Sequence, residues 1–192
     1  SIKNINILDC TLRDGGYYNQ WNFDSKLVKK YINSIKDSKI QIIEIGFRFL
    51  SNSKLYGPFA YSKDSLLSKL KFPNTTKISV MLNASDFDKK NYKKQISKLF
   101  KKDSIKYISI VRIACKQDEI PLAINLSKLL NNYGYEVFIN LMQINLIEEN
   151  ELIKILKKLY LNKKTISCFY FADSFGSLVP SETKKYCKLI SK

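Results

Sequence analysis

Several features that define common functional classes are missing from this 192-residue sequence. The four cysteines, Cys10, Cys115, Cys168 and Cys187, are far apart, so there is no CxxC zinc or redox pair and no sign of a disulfide framework. We expect reduced, mostly buried thiols. No apolar run approaches the roughly 18 to 20 residues that a membrane helix needs, and the start SIKNINILDC lacks the basic-then-apolar layout of a signal peptide. A cytoplasmic protein without membrane contact is therefore expected.

Arginine is also scarce, although the formal net charge is +16. Only Arg13, Arg48 and Arg112 are arginines among the 33 basic residues, and the lysines are spread over every predicted helix. Nucleic-acid readers commonly use the bidentate guanidinium of arginine and gather their positive charge on one face. The lysines are better explained as solvated helix surface, so specific nucleic-acid binding is not expected.

Short apolar runs rich in β-branched residues alternate with longer stretches that carry lysines and have an apolar spacing near 3.6 residues. This alternation predicts parallel βα units. The predicted strands cover residues 5–10, 40–47, 77–83, 107–114, 136–143 and 167–172, and the predicted helices cover residues 25–38, 63–70, 90–102, 119–132, 148–161 and 182–191. Gly134 follows the fourth helix, where a C-terminal cap belongs.

Six βα repeats without a glycine-rich phosphate loop favour a (β/α)8-type barrel over a dinucleotide-binding sheet. Such barrels typically have about 250 residues. We therefore predict an α/β fold with one barrel domain over residues 1–192 that lacks the last two βα units, either as a fragment or as a natural short form. An unclosed barrel leaves two strand edges unpaired, and such edges favour a homo-oligomer unless a partner covers them.

Catalytic residues of barrels lie at the C-terminal ends of the strands. All three arginines are predicted at this face, where guanidinium groups suit carboxylate or enolate oxygens. Four acidic residues are predicted there too: Asp9, Asp14, Glu44 and Asp173. A divalent metal would offset their mutual repulsion. A buried Glu44–Arg13 salt bridge is the alternative, and the two arrangements are compatible.

The most specific stretch is ILDCTLRDGGYYNQWNF at residues 7–23, in which Gly15 and Gly16 predict a tight turn after Arg13 and Asp14. This stretch resembles the strand-one signature of the metal-dependent lyase and synthase superfamily that includes HMG-CoA lyase, isopropylmalate synthase and 4-hydroxy-2-oxovalerate aldolase. IIEIGF at residues 42–47 and FADSFGSLVP at residues 171–180 resemble its strand-two and strand-six segments. The GGYY loop is most similar to the aldolase-like branch.

The resemblance implies a role for each matching residue. Asp14 would bind a divalent metal, Mn²⁺ or Mg²⁺, and Arg13 would stabilise the enolate oxygen. Glu44 would orient Arg13 or a metal-bound water. Asp173 is expected among the catalytic residues as a polar group at the rim or behind the metal. Tyr17 stands where the aldolase branch has a histidine acid or base, although packing or substrate contact is the alternative.

Substrate binding is expected from four further residues besides Arg13. Ser174 follows the strand-six aspartate, Arg48 and Arg112 supply positive charge, and Asn140 lies on the fifth strand. The implied substrate is a 2-oxo acid or aldehyde, and the implied reaction cleaves or forms the adjacent carbon–carbon bond.

One departure from the superfamily is the complete absence of histidine. Two more metal ligands are expected in an HxH motif on a seventh strand, which would lie beyond Lys192. Two hypotheses therefore remain: a metal-dependent aldolase of which this is the N-terminal portion, or a catalytically inactive fragment that binds an anionic ligand through its arginines. An acyl-CoA-dependent synthase is less favoured.

Overall fold

The computed structural model describes residues 5–190, and in this range six parallel strands form one sheet. The strands are β1 (Leu8–Asp9), β2 (Ile42–Phe47), β3 (Lys77–Asn83), β4 (Ile110–Cys115), β5 (Glu136–Leu141) and β6 (Cys168–Phe171). Each strand overlaps its predicted range, which confirms the six predicted strands. β1 is much shorter than predicted, with two residues.

The strands follow one another in the sheet in sequence order, from β1 to β6. Every neighbouring pair is parallel; on β4 and β5, for example, Val111 lies opposite Val137. The sheet curls and alternates with helices, so the predicted α/β incomplete barrel is confirmed. Parallel strands place their carboxyl ends at the same edge, where the predicted site residues were expected.

Seven α-helices connect or follow the strands within the described residues. They are α1 (Thr11–Asn19), α2 (Ser25–Asp37), α3 (Asp64–Leu67), α4 (Tyr92–Leu99), α5 (Ile120–Asn132), α6 (Glu149–Leu161) and α7 (Pro180–Ile190). The six predicted helices correspond to α2–α7. Residues 1–4 of the predicted domain, the predicted last residue of the final helix, Ser191, and Lys192 lie outside the described residues. None of the described helices is long and apolar enough to cross a bilayer.

Local sequence explains where the helices begin and end. The side chain of Asp24 accepts hydrogen bonds from the backbone N–H of Lys26 and Leu27, which caps α2. At the end of α5, Gly134 adopts a φ of +96° and its N–H donates to the carbonyl of Asn131 at 2.8 Å. Glycine takes this left-handed backbone without steric cost, so the predicted cap is confirmed.

The two faces of the sheet differ in what covers them. The outer face contributes Ile43, Val80, Val111 and Ile139 to the main core, which also contains the buried faces of the helices. On the inner face Ile42, Ile110 and Phe138 form a separate apolar cluster. Side chains alternate along a strand, so the residues two positions further share this inner face and lie closer to the carboxyl ends.

The predicted turn at Gly15–Gly16 is wrong, because both glycines lie inside α1. The chain turns later, at Gln20 and Trp21, each of which has a φ of 58°. The indole ring of Trp21 packs directly on Gly16: a Cβ atom there would lie 1.9 Å from Cδ1 of Trp21. Gly16 is therefore required by close packing and not by backbone freedom.

Candidate active site

A buried carboxylate joins two arginines at the centre of the inner face. Glu44 of β2 is fully buried, and its Oε1 accepts hydrogen bonds from Nε of Arg13 at 2.8 Å and from Nη1 of Arg112 at 3.2 Å. Arg13 comes from α1 and Arg112 from β4. Two cations offset the cost of burying one carboxylate, and that carboxylate in turn fixes the position of both guanidinium groups.

The polar group extends across the next two strands. Nη2 of Arg112 donates to Oδ1 of Asn140 at 3.1 Å, and the guanidinium lies over the ring of Tyr170, 4.9 Å from its centroid. Among the described residues, Oε2 of Glu44 and Nε of Arg112 are buried without a hydrogen-bond partner. Buried polar atoms without partners are uncommon, so this cluster retains donor and acceptor capacity. We call Arg13, Glu44, Arg112 and Asn140 the polar cluster.

Arg13 connects the polar cluster to the open mouth of the barrel. Its side chain is 13% exposed and also pairs with the carboxylate of Asp14, which is 53% exposed. Burial alone lowers the pKa of Arg13, but the charge and hydrogen bond of Glu44, together with Asp14, more than compensate and raise it. Arg13 therefore stays cationic, and Asp14 presents an accessible anionic oxygen beside it.

Cys10, which the sequence indicated only as a structural thiol, contacts the same carboxylate. Its Sγ donates to Oδ2 of Asp14 at 3.0 Å. Burial, followed by this hydrogen bond and the negative charge of Asp14, raises the pKa of the thiol to about 11. Cys10 thus remains protonated near neutrality. Its position four residues before Asp14 would have indicated the contact if α1 had been predicted.

Tyr17 lies at the rim beside Arg13. Its ring is 63% exposed and packs edge-on against Trp21, with the ring centroids 5.0 Å apart. Burial raises the pKa of Tyr17, and the neighbouring Arg13 offsets this only in part. The phenol therefore keeps its proton at neutral pH and can donate a hydrogen bond, which suits an acid better than a base.

Asp173 and Ser174 organise the loop after β6. The carboxylate of Asp173 accepts hydrogen bonds from the N–H groups of Leu178 at 2.8 Å and Ser177 at 3.0 Å, and these bonds lower its pKa. Oγ of Ser174 accepts from the N–H of Gln143 at 2.9 Å, which ties this loop to the one after β5. Within the described residues, neither side chain is hydrogen-bonded to the polar cluster.

Arg48 does not join the other two arginines, which corrects the expectation that all three share one face. Its guanidinium donates to the carbonyls of Ser62 at 3.2 Å and Leu99 at 2.6 Å, pairs with Asp64, and lies over the ring of Phe100. Arg48 is 3% exposed, and burial lowers its pKa. We therefore assign it a structural position and remove it from the expected substrate contacts.

Asp9 is likewise used by the fold. Its carboxylate accepts from Oγ1 of Thr11 at 2.9 Å and from the hydroxyl of Tyr31. Burial, and then the hydrogen bond to Asp9, raises the pKa of Tyr31. These bonds fix the start of α1 and thereby the position of Arg13 and Asp14.

The described residues do not by themselves provide a complete metal site. Between residues 5 and 190, no group of three or more histidine, cysteine, aspartate or glutamate side chains is arranged to hold a metal ion. Asp14 has an accessible carboxylate, but the thiol of Cys10 donates its hydrogen to that carboxylate and Glu44 is engaged by two arginines. A single available side chain is too few for a closed site, because such a site binds a divalent cation through several ligands.

Comparisons with known proteins support the fold. No protein-family model matches the chain. No curated protein matches it either. Among solved structures, the chain is similar to the N-terminal domain of a putative aldolase from Bacteroides vulgatus, with a TM-score of 0.86 and 34% sequence identity over 97% of this chain. The chain spans 60% of the length of that structure's chain.

Proposed function

We propose that this chain forms the enolate-binding wall of an aldolase that cleaves or forms the carbon–carbon bond next to a 2-oxo acid. The observation that carries the proposal is Arg13, held at 2.8 Å by the buried Glu44 and placed beside the exposed carboxylate of Asp14. The structural neighbour, itself named as an aldolase candidate, supports the same reaction class. The activity of the intact protein is part of the proposal.

In the proposed cleavage, the substrate is a 4-hydroxy-2-oxo acid. The hydroxyl on the fourth carbon gives its proton to a solvent water, and the bond between the third and fourth carbons breaks. The fourth carbon leaves as an aldehyde, and the electron pair moves into an enolate, which then takes up a proton at its third carbon to give the 2-oxo acid. Arg13 stabilises the enolate oxygen, because a fixed cation in a water-poor site lowers the energy of developing negative charge. Glu44 acts by positioning Arg13 and Arg112. Tyr17, with its raised pKa, donates a hydrogen bond or a proton at the rim.

The substrate's carboxylate would be held by the remaining part of the site. Arg112 and Asn140 supply positive charge and an amide on the inner face, and Ser174 supplies a hydroxyl in the loop after β6. Asp173 keeps that loop in shape through its bonds to backbone N–H groups.

A divalent metal, Mn²⁺ or Mg²⁺, would supply Lewis-acid polarisation of the 2-oxo group. Asp14 is the one described residue suited to bind it. The described residues do not complete a ligand set for such an ion. We propose that the intact protein depends on a metal and that the remaining ligands come from outside residues 5–190.

Calorimetry with oxalate, a stable mimic of the pyruvate enolate, tests the proposal. We expect oxalate to bind this chain in the presence of Mn²⁺. Arg13→Lys and Asp14→Asn should each weaken binding at least roughly tenfold, because lysine cannot make the bidentate contact of the guanidinium and asparagine removes the carboxylate proposed to bind Mn²⁺. Asp103→Asn is the matched control, because Asp103 is an exposed carboxylate before β4, at the opposite end of the strands. Unchanged oxalate affinity in both site variants would exclude the proposed enolate site.

A second candidate is an anion-binding module without chemistry. It is favoured by the incomplete metal-ligand set, together with the intact Arg13 and Arg112. The intact protein distinguishes the two candidates: pyruvate release from a 4-hydroxy-2-oxo acid supports the aldolase. Tight oxalate binding without pyruvate release, with added Mn²⁺ or Mg²⁺, supports the binding module.

A further inference from the structure

Five aromatic rings are in mutual contact beside Arg13. Their members come from α1, the turn after it, β2 and the loop that follows β2, and we call them the aromatic shelf: Tyr17, Trp21, Phe47, Phe49 and Tyr56. Trp21 is central, with ring centroids of the neighbouring rings 5.0 to 5.5 Å away. Such edge-to-face packing holds the rings at fixed angles.

The exposed part of the aromatic shelf is its two tyrosines. Trp21 and Phe47 are buried, at 4% and 1% exposure, whereas Tyr17 is 63% and Tyr56 40% exposed. Both tyrosines pack on the same indole, at 5.0 and 5.2 Å. Two large rings are thus presented to solvent on a buried aromatic base, an arrangement that can pack against an apolar group of a ligand.

Backbone contacts fix Tyr56 in this position. The N–H of Gly57 donates to the carbonyl of Gln20 at 2.7 Å, so the loop after β2 is tied to the turn after α1. A Cβ atom at Gly57 would lie 2.4 Å from the carbonyl oxygen of Trp21, which means that only glycine permits this approach. The aromatic shelf is therefore preorganised and needs little ordering on ligand binding.

The aromatic shelf is continuous with the proposed reaction site. Nε1 of Trp21 donates to the carbonyl oxygen of Arg13 at 2.9 Å, and the guanidinium of Arg13 lies over Phe47, 5.9 Å from the ring centroid. The guanidinium of Arg13 is thus in contact with an aromatic ring of the shelf and with the carboxylate of Asp14. A substrate tail leaving Arg13 toward Tyr17 and Tyr56 would meet apolar ring faces.

We infer that the aromatic shelf binds the non-reacting tail of the substrate and that this tail carries an apolar ring. This inference rests on the proposed function, because it places the reacting carbons at Arg13. Tyr56 is a specificity-determining residue on this view: it contacts the tail and takes no part in the bond change. The cleaved product would be an aldehyde that bears the ring.

Calorimetric titration of this chain with three 2-oxo acids in the presence of Mn²⁺ tests the inference. Pyruvate has no tail, 2-oxohexanoate has an alkyl tail, and 2-oxo-4-phenylbutanoate carries a phenyl ring on its fourth carbon, next to the bond that would break. We expect the phenyl compound to bind roughly tenfold more tightly than pyruvate and more tightly than 2-oxohexanoate, since a packed ring adds apolar burial and aromatic contact.

The variants locate the effect. Tyr56→Ala should abolish the preference for the phenyl compound and leave pyruvate affinity unchanged, whereas Tyr56→Phe, which keeps the ring, should retain the preference. Tyr160→Ala is the matched control, because Tyr160 is an exposed tyrosine on α6.

The possible failures are distinguishable. Oxalate and pyruvate binding without any preference for the ring, or a preference that survives in Tyr56→Ala, would overturn the inference and leave the proposed function standing. If none of the acids binds and oxalate does not bind either, both the inference and the proposed function are overturned.

Discussion

Glu44→Gln removes the one negative charge that two buried arginines share. The side chains of Arg13 and Arg112 are 13% and 10% exposed, and both donate to the same oxygen of Glu44. Glutamine keeps the shape and one acceptor but leaves two cations in a poorly hydrated interior. Breaking a buried ion pair by removing one partner costs about 3 to 5 kcal/mol. For a chain of this size, each kcal/mol lowers the melting temperature by about 2 to 4 °C, so a decrease of about 10 °C is expected.

Urea unfolding followed by circular dichroism measures this change in the free energy of unfolding. The matched control is Glu149→Gln, which breaks the exposed pair with Lys185, where the two side chains are 46% and 56% exposed. An exposed pair contributes at most about 1 kcal/mol. Adding Arg112→Met to Glu44→Gln should recover part of the loss, because Arg112 is the cation that loses its anionic partner, whereas Arg13 still pairs with Asp14. A loss below about 1 kcal/mol in Glu44→Gln would refute the argument that the carboxylate supports both arginines.

Three further predictions follow from the packing and the pKa shifts. Gly16→Ala should lower the free energy of unfolding by about 3 kcal/mol or more and alter the emission of Trp21, because the added Cβ meets the indole; unchanged stability and emission would contradict this. Burial raises the pKa of Cys115 from 9.0 to about 12, so its contribution to stability is complete below pH 9 and falls as the pH rises toward 12; Cys115→Ala should flatten the pH dependence of urea unfolding in this range. Arg48→Lys should reduce stability, measured by urea unfolding, without changing oxalate affinity, and a parallel loss of affinity would return Arg48 to the site.

Sequence reasoning located the polar cluster because barrel topology alone brings the carboxyl ends of parallel strands together. Glu44, Arg112 and Asn140 lie on three different strands, and strict alternation along each strand puts all of them on the inner face. Arg13 and Asp14 follow the first strand directly, so it was enough to predict where that strand ends in order to predict their position. The buried Glu44–Arg13 salt bridge, which the sequence offered as an alternative to a metal site, is present in the structure; that Arg112 shares the same carboxylate oxygen was not predicted.

Arg48 was misplaced because the alternation fails within β2. The register with β3 shifts between Glu44 and Phe47, so a residue that strict alternation puts on the inner face contacts Asp64 and Phe100 instead. A bulge of this kind reverses the direction of the side chains that follow, and it has no reliable signature in a single sequence.

Helix α1 was missed for a related reason. Gly15 and Gly16 have low helix propensity and predicted a turn, but tertiary packing against Trp21 outweighs that local preference. The contact of Cys10 with Asp14 depends on this helix, and so does the aromatic shelf around Trp21. Both therefore escaped prediction.

The strictly sequential order of the strands has a consequence for how the chain is made. Each strand pairs with the one that precedes it in sequence, so a newly synthesised βα unit finds its partner already in place. Contacts between units close in sequence favour rapid folding. Glu44 of β2 is also synthesised before Arg112 of β4, so the buried carboxylate and Arg13 are both in the chain before the second arginine is made.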